Sequence, residues 1–409
     1  VYALDFWEHA PGVALVLWGT VFLVDVADRR GGWGSALASG ACFGAAGTMR
    51  TEALVYAAVA ALVTGAVVAR DRVRGRDVTR RWIAAVGGAW GVGVVVPLVA
   101  NQVLERVIVG SGVRAARAVG TAGLAGRDAT VRAKEALTTA VGINRLVTPT
   151  DWIVGGCLAA LVMYAAWRLL SADRDGRRLG GVAFVGAVVL YVLRFGDGLG
   201  FVPGVLTASP LAAAGLAVAW AARRWRIAAA IVLAAVPVVW LFQFSGGANP
   251  QWGGRYLLVT GTVLVVGAAV VLAVTPGTAR VLLIALAVAV TAAGIAWLSQ
   301  RSHAVADAMR TLDAGSDTVL VSREAHLLRE GGAFYRPDRR WLTAESDREL
   351  RRSAEIARAS GAGHLAVVGV RGRDVKDRLG DYVRRGTRQI EFLPGFPVVI
   401  VTYVTEGVP

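Results

Sequence analysis

Carboxylates, guanidiniums and one amide collect at a few points of a chain that is otherwise poor in charge, and these are the groups able to do chemistry. Asp5, Glu8 and His9 precede the first long apolar run, and Arg50 and Glu52 stand between the second and third. Arg194 and Asp197 close the sixth, and Gln251-Trp252-Gly253-Gly254-Arg255-Tyr256 opens the ninth. An acid beside an acceptor hydroxyl can take its proton as general base, and arginines hold phosphate by charge-assisted hydrogen bonds. Those are the parts that transfer of a glycosyl group from a lipid phosphate needs. Arg50 and Arg255 would stabilise the charge that develops on the leaving phosphate. A divalent ion, Mg or Mn, would find Asp5 and Glu8 as ligands, but two carboxylates are few for a dedicated site. Taken singly, arginines and acids at helix ends often only reach for the interface. Their convergence at one depth is what points to a site.

The elements that must hold these groups are set by composition. Hydrophobic residues make up 55% of the 409 and charged residues 18%, more apolar surface than one or two water-soluble cores can cover. Apolar runs of roughly 17 to 21 residues recur, the length a helix rising about 1.5 Å per residue needs to cross about 30 Å of hydrocarbon. The runs do not alternate apolar with polar, which excludes a transmembrane barrel. About ten transmembrane helices are expected, at 11–26, 34–48, 53–69, 82–100, 152–170, 180–195, 203–221, 227–242, 256–274 and 281–298. The domains are thus a multi-span region over 1–300, with a long loop at about 103–150, and a small α/β unit over 301–409. In the latter, strand-like runs at 318–322, 364–370 and 397–404 alternate with helix-like stretches at 348–360 and 374–385.

The net charge of +15 comes almost wholly from arginine, since Lys134 and Lys376 are the only lysines. It lies in short connectors rather than in a stripe, so nucleic acid is not the expected partner. With strict alternation, Asp28-Arg29-Arg30, the arginines at 70–81, those at 174–178, Arg223, Arg224, Arg226 and Arg280 fall on one side. The positive-inside rule makes that side cytoplasmic. The candidate site residues, the long loop and the C-terminal α/β domain are then extracytoplasmic, in a multi-pass protein of the inner (plasma) membrane.

Other residues read as structural. Cys42 and Cys157 lie in apolar runs as small core residues, and His303 and His364 are isolated, so neither a disulfide framework nor a metal centre is expected. Ser322, His326 and Asp317 could be drawn as a hydrolase triad, but no Gly-x-Ser-x-Gly elbow surrounds Ser322, and they read as surface polar residues. The Gly-rich loop around Gly110 and Gly120–Gly126 lacks a Gly-Lys-Ser/Thr ending and reads as a partly helical cover.

Three segments carry a resemblance: residues 2–14, with acids just before a span; Gly40-Ala41-Cys42-Phe43-Gly44-Ala45-Ala46-Gly47-Thr48-Met49-Arg50-Thr51-Glu52; and Gln251-Trp252-Gly253-Gly254-Arg255-Tyr256-Leu257-Leu258. They resemble bacterial GT-C glycosyltransferases, the polyprenyl-phosphate-sugar-dependent enzymes related to protein O-mannosyltransferases and the lipid A aminoarabinose transferase. The resemblance implies a GT-C-like fold and inverting transfer of a sugar from a polyprenyl phosphate, outside the cytoplasm, to a protein, lipid or glycan acceptor. It implies Asp5 or Glu8 as catalytic acids and Arg50, Arg255 and Tyr256 at the donor phosphate; from their place in the same polar clusters, His9, Glu52, Gln251 and Arg194 are expected toward the substrates. The family's first acidic loop has no counterpart after Val1, so an upstream part is expected and the 409 residues alone are expected to be inactive. An O-antigen ligase or polymerase-like envelope enzyme and a transporter are the competing readings. The first usually carries its key residues in a large loop, and the second needs ionisable groups in mid-membrane.

Overall fold

The structure, a computed structural model, describes residues 9–75, 78–110, 129–142, 149–170, 173–220, 222–243, 257–275, 277–313, 319–323, 340–344, 346–369, 376–393 and 396–405. Two compact units divide the chain: Val1–Asp197 with Phe201–Gly294, and Gly198–Gly200 with Ile295–Pro409.

The first unit is helical: α1 His9–Ala27, α2 Trp33–Met49, α3 Glu52–Val73, α4 Arg80–Val109, α5 Ala129–Val141, α6 Pro149–Leu169, α7 Arg174–Gly196, α8 Val205–Ala208, α9 Pro210–Val218, α10 Arg223–Gln243, α11 Leu258–Ala273 and the start of α12, Thr278–Asp313. Seven of these, α1, α3, α4, α6, α7, α10 and α12, are long and apolar enough to cross a membrane, which marks the chain as a membrane protein. Ten were expected, and three of the ten expected positions fall short of that length. α2 has 17 residues and α11 has 16. The run at 203–221 is broken: Pro210 cannot donate a backbone N–H and pushes Ser209 to an extended φ of -131°, so α8 stops and α9 starts afresh. In the other direction, α4 continues past the expected end at residue 100 to Val109, where Gly110, at φ 74°, caps it in the left-handed region. Cys157, expected in the core, is exposed on α6.

Two helix groups form the core. Val16, Phe43, Tyr56, Ile231 and Val263 join α1, α2, α3, α10 and α11, and Leu158, Val162, Tyr191, Ala213 and Leu286 join α6, α7, α9 and α12. The glycines of α2 are explained by packing. A Cβ at Gly40 would lie 2.2 Å from the Trp90 oxygen, one at Gly44 2.4 Å from the Val94 oxygen, and one at Gly93 2.4 Å from the Leu37 oxygen. Backbone contact this close is how small residues let helices associate without a solvent-driven force. Because Gly40 faces Trp90, Gly44 faces Val94 and Gly47 faces Leu98, α2 and α4 run in the same direction.

The second unit carries a six-stranded sheet: β1 Val319–Ser322, β2 Arg340–Thr343, β3 His364–Gly369, β4 Arg378–Leu379, β5 Tyr382–Leu393 and β6 Phe396–Thr405, in the order β2-β1-β3-β6-β5-β4. β1 pairs in parallel with β2 and β3, while β6 is antiparallel to both β3 and β5. Between β2 and β3 runs α13, Asp347–Ala359, opened by a capping box in which Ser346 and Glu349 satisfy each other's backbone N–H. Of the helix-like stretch at 374–385, the described residues from Arg378 on form instead a hairpin. Gly380, at φ 61°, turns the chain so that Leu379 pairs with Tyr382, both buried. Ser322, expected at the surface, is fully buried at the end of β1, and Asp317 and His326 lie outside the described residues. At the start of α13 the Lys376 ammonium donates to Asp347 at 2.6 Å and holds its carboxyl below the usual range.

Candidate functional site

Of the residues assigned to a site, Asp5, Glu8, Gln251, Arg255 and Tyr256 lie outside the described residues, and His9 is described only as the first residue of α1. Arg50 and Glu52 are brought together. A two-residue turn joins α2 to α3: Arg50 caps α2 in extended backbone, its N–H on the Ala46 oxygen at 2.8 Å, and its carbonyl accepts from Ala53 N at 3.1 Å. The side chain then folds back, with Nε donating to Glu52 Oε1 at 2.6 Å and Nη2 to the same oxygen. Both side chains are buried, at 3% and 7% exposure. Charges so far from water persist only when paired.

Helix α1 packs on this pair: a Cβ at Gly12 would come within 2.9 Å of Arg50 Cδ, so a larger residue there would make the arginine stem shift. One turn into α3, the Tyr56 hydroxyl meets Thr260 Oγ1 of α11 at 2.8 Å, and Thr260 donates to the Val232 oxygen of α10 at 3.3 Å. With the threonine proton committed to that carbonyl, Tyr56 is the donor. The chain of hydrogen bonds fixes the start of α11, which follows the Gln251–Tyr256 segment in sequence, against the helix that begins with Glu52.

Arg194 has a different setting. Nη1 donates to Asp151 Oδ1 and Nη2 to the Asp151 carbonyl, both at 3.1 Å, and the guanidinium carbon stands 5.3 Å from the Phe201 ring centroid. These partners belong to α6 and the segment after α7, not to the helices around Arg50. Asp197, beside it, is the C-cap of α7. Asp151 was missed in the sequence; its signal was an acid in the first turn of a helix, where the dipole favours it.

A second missed acid is Glu105. Because α4 runs parallel to α2 and extends beyond Leu98, Glu105 stands about 10 Å further along the axis at about 1.5 Å per residue, at the end of the unit where Arg50 lies. Asn101 Nδ2 donates to its Oε1 at 2.7 Å, while buried Oε2 has no hydrogen-bond partner among the described residues. Among the described residues no three His, Cys, Asp or Glu side chains converge as a metal ion requires. The ion expected near Asp5 and Glu8 falls outside them.

At the opposite end of α1 acids and arginines also gather. Arg223 reaches Asp28 at 3.2 Å and Asp71 at 2.6 Å, and Arg224 reaches Asp28 at 3.6 Å and also pairs with Asp25. The Arg29 guanidinium lies 3.8 Å from the Trp82 ring centroid. Connectors 28–30, 70–81 and 223–226 therefore meet at one end of the unit, with Gly12 and Arg50 about 20 Å away along α1 at about 1.5 Å per residue.

Comparison with family models, with curated proteins and with solved structures returns no match.

Proposed function

We propose that this chain is a membrane glycosyltransferase that moves a sugar from a polyprenyl phosphate to an acceptor on the extracytoplasmic side. The observation that carries the reading is the buried Arg50–Glu52 pair, at a helix end roofed by Gly12 and tied through Tyr56 and Thr260 to the head of α11. A guanidinium fixed in a dry setting stabilises phosphate charge far better than one in water, and without reorganising as the charge appears. Glu52 keeps it in place. In the step itself the acceptor hydroxyl oxygen bonds to the anomeric carbon from the face opposite the phosphate. The bond from that carbon to the phosphate oxygen breaks, its electron pair stays on the phosphate, and the hydroxyl proton passes to a carboxylate, Asp5 or Glu8. Inversion at the anomeric carbon follows from the single displacement. The basic connectors at the far end of α1 support a cytoplasmic location for that end and an extracytoplasmic one for this, in an inner-membrane protein.

The test is transfer of radiolabelled sugar from a polyprenyl phosphate by the full-length protein in bilayers. Arg255→Ala and Glu8→Gln are expected to lower it by about 100-fold or more, the size of a lost charge-stabilising or proton-accepting group. Both variants are expected to insert and melt as the wild type does. Wild-type transfer by both would overturn the assignment.

A further inference from the structure

The ionic cluster at the far end of α1 surrounds a recess of about 470 Å³, lined by Asp28, Arg30, Ala222, Arg223, Arg224 and Trp225. Its wall carries three guanidiniums and one carboxylate. That carboxylate is fully used: Asp28 Oδ1 holds Arg223 and Oδ2 holds Arg224. Asp71 and Asp25 take a second position on each of these arginines, Nη2 in both cases. The aspartates therefore orient two guanidiniums toward one space, and each arginine keeps its Nη1 outside those bonds. Arg30 is exposed on the rim and, among the described residues, has no ion-pair partner. Its position follows from the turn that ends α1. Arg29 adopts φ 62°, a left-handed conformation costly to a residue with a Cβ, and the Arg30 and Gly31 N–H groups return to the Asp25 oxygen at 2.9 and 3.0 Å. Across the whole cluster, Arg29, Arg30, Arg223, Arg224 and Arg226 outnumber Asp25, Asp28 and Asp71, so a positive charge is left over.

We propose that this recess binds a phosphate group, carried by an anionic lipid headgroup or free in water. Guanidinium forks match phosphate oxygens two at a time, and arginines pre-oriented by carboxylates lose little freedom on binding. The first turn of α10, which opens at Arg223, adds the positive end of its dipole. Trp225 fits the interface level of a bilayer, where basic pockets between helices take lipid headgroups. The site lies at the opposite end of α1 from the proposed transfer and does not depend on it.

Arg30→Gln removes a rim donor without touching any ion pair, and Ala222→Phe fills the recess without touching any charge. The full chain, in neutral detergent, is tested in two arms. One measures phosphatidylglycerol retained against phosphatidylcholine after reconstitution in mixed nanodiscs; the other measures the rise of the melting midpoint with inorganic phosphate. Wild type is expected to respond in at least one arm, and each variant to weaken that response about tenfold or more, Arg30→Gln by loss of one charged hydrogen bond and Ala222→Phe by filling the space. Retained phosphatidylglycerol that inorganic phosphate does not displace identifies a headgroup, and stabilisation by phosphate alone identifies a free anion. No response in wild type, or a response that both variants keep in full, overturns the proposal.

Discussion

At the residue scale the Arg50–Glu52 pair is the most demanding feature of the helical unit, because two charges at 3% and 7% exposure stay folded only while they are paired. Glu52→Gln leaves the guanidinium buried against a neutral amide. That change is expected to cost about 3 to 5 kcal/mol and lower the melting midpoint in detergent. Replacing both, as Arg50→Met with Glu52→Leu, removes the desolvation problem along with the charges and is expected to restore most of that stability. The pair of measurements separates structure from chemistry. If the double variant melts like wild type and transfers no sugar, Arg50 acts on substrate; if it melts like wild type and transfers at the wild-type rate, the pair only holds α2 to α3. Sequence reading placed Arg50 and Glu52 near each other because they are two residues apart. It could not find Asp151 beneath Arg194, nor Asp71 on Arg223, since those partners are 43 and 152 residues apart and nothing in a local pattern joins them.

At the scale of elements, periodicity and length told most of what there was to tell, and they failed where a single backbone position decides. Apolar runs marked the helices at their places, and β1, β3, β6 and α13 were legible from short apolar strands and an acid-rich helix start. The break at Ser209 turned on one proline, and the hairpin at Gly380 on one glycine inside a charged stretch that reads equally as helix. The Gly-x-x-x-Gly spacing of α2 had been taken with the resemblance to an enzyme family. In the fold it serves close approach to α4, so it carries packing information whatever the chemistry is. Gly44→Ala puts a methyl 2.4 Å from the Val94 carbonyl oxygen, where no side chain can rotate away, so the helices must part. A loss of about 1 to 3 kcal/mol is expected, seen as a lower melting midpoint. Gly87, also in α4, has nothing within 4 Å of its built Cβ, and Gly87→Ala is expected to be neutral or to stabilise by up to about 1 kcal/mol. Equal effects at the two glycines would show that α2 and α4 are not packed as described.

At the scale of the whole molecule, the distribution of charge between the two ends of α1 connects the fold to its membrane. Connectors far apart in sequence meet at one end through Asp28, Asp71, Trp82 and Arg223, and among the described residues seven helices have the length to cross. Short α2 packs on the longer α4, and short α11 packs on α9 and α10. The Arg50 and Glu52 side chains at the end of α2 are buried there, while Thr51 between them is exposed. By the positive-inside rule the end with surplus arginine is expected to be cytoplasmic. In a background with Cys42 and Cys157 replaced by alanine, single cysteines at Arg72 and Arg226 are expected to react with an impermeant maleimide only from the cytoplasmic side of vesicles. One at exposed Thr51 is expected to react only from the other. Labelling of Thr51 and Arg226 positions from the same side would contradict the order of helix ends along α1. Labelling of all three from the reverse sides would leave the helix packing intact, move the arginine recess outward, and remove the basis for transfer at the extracytoplasmic surface.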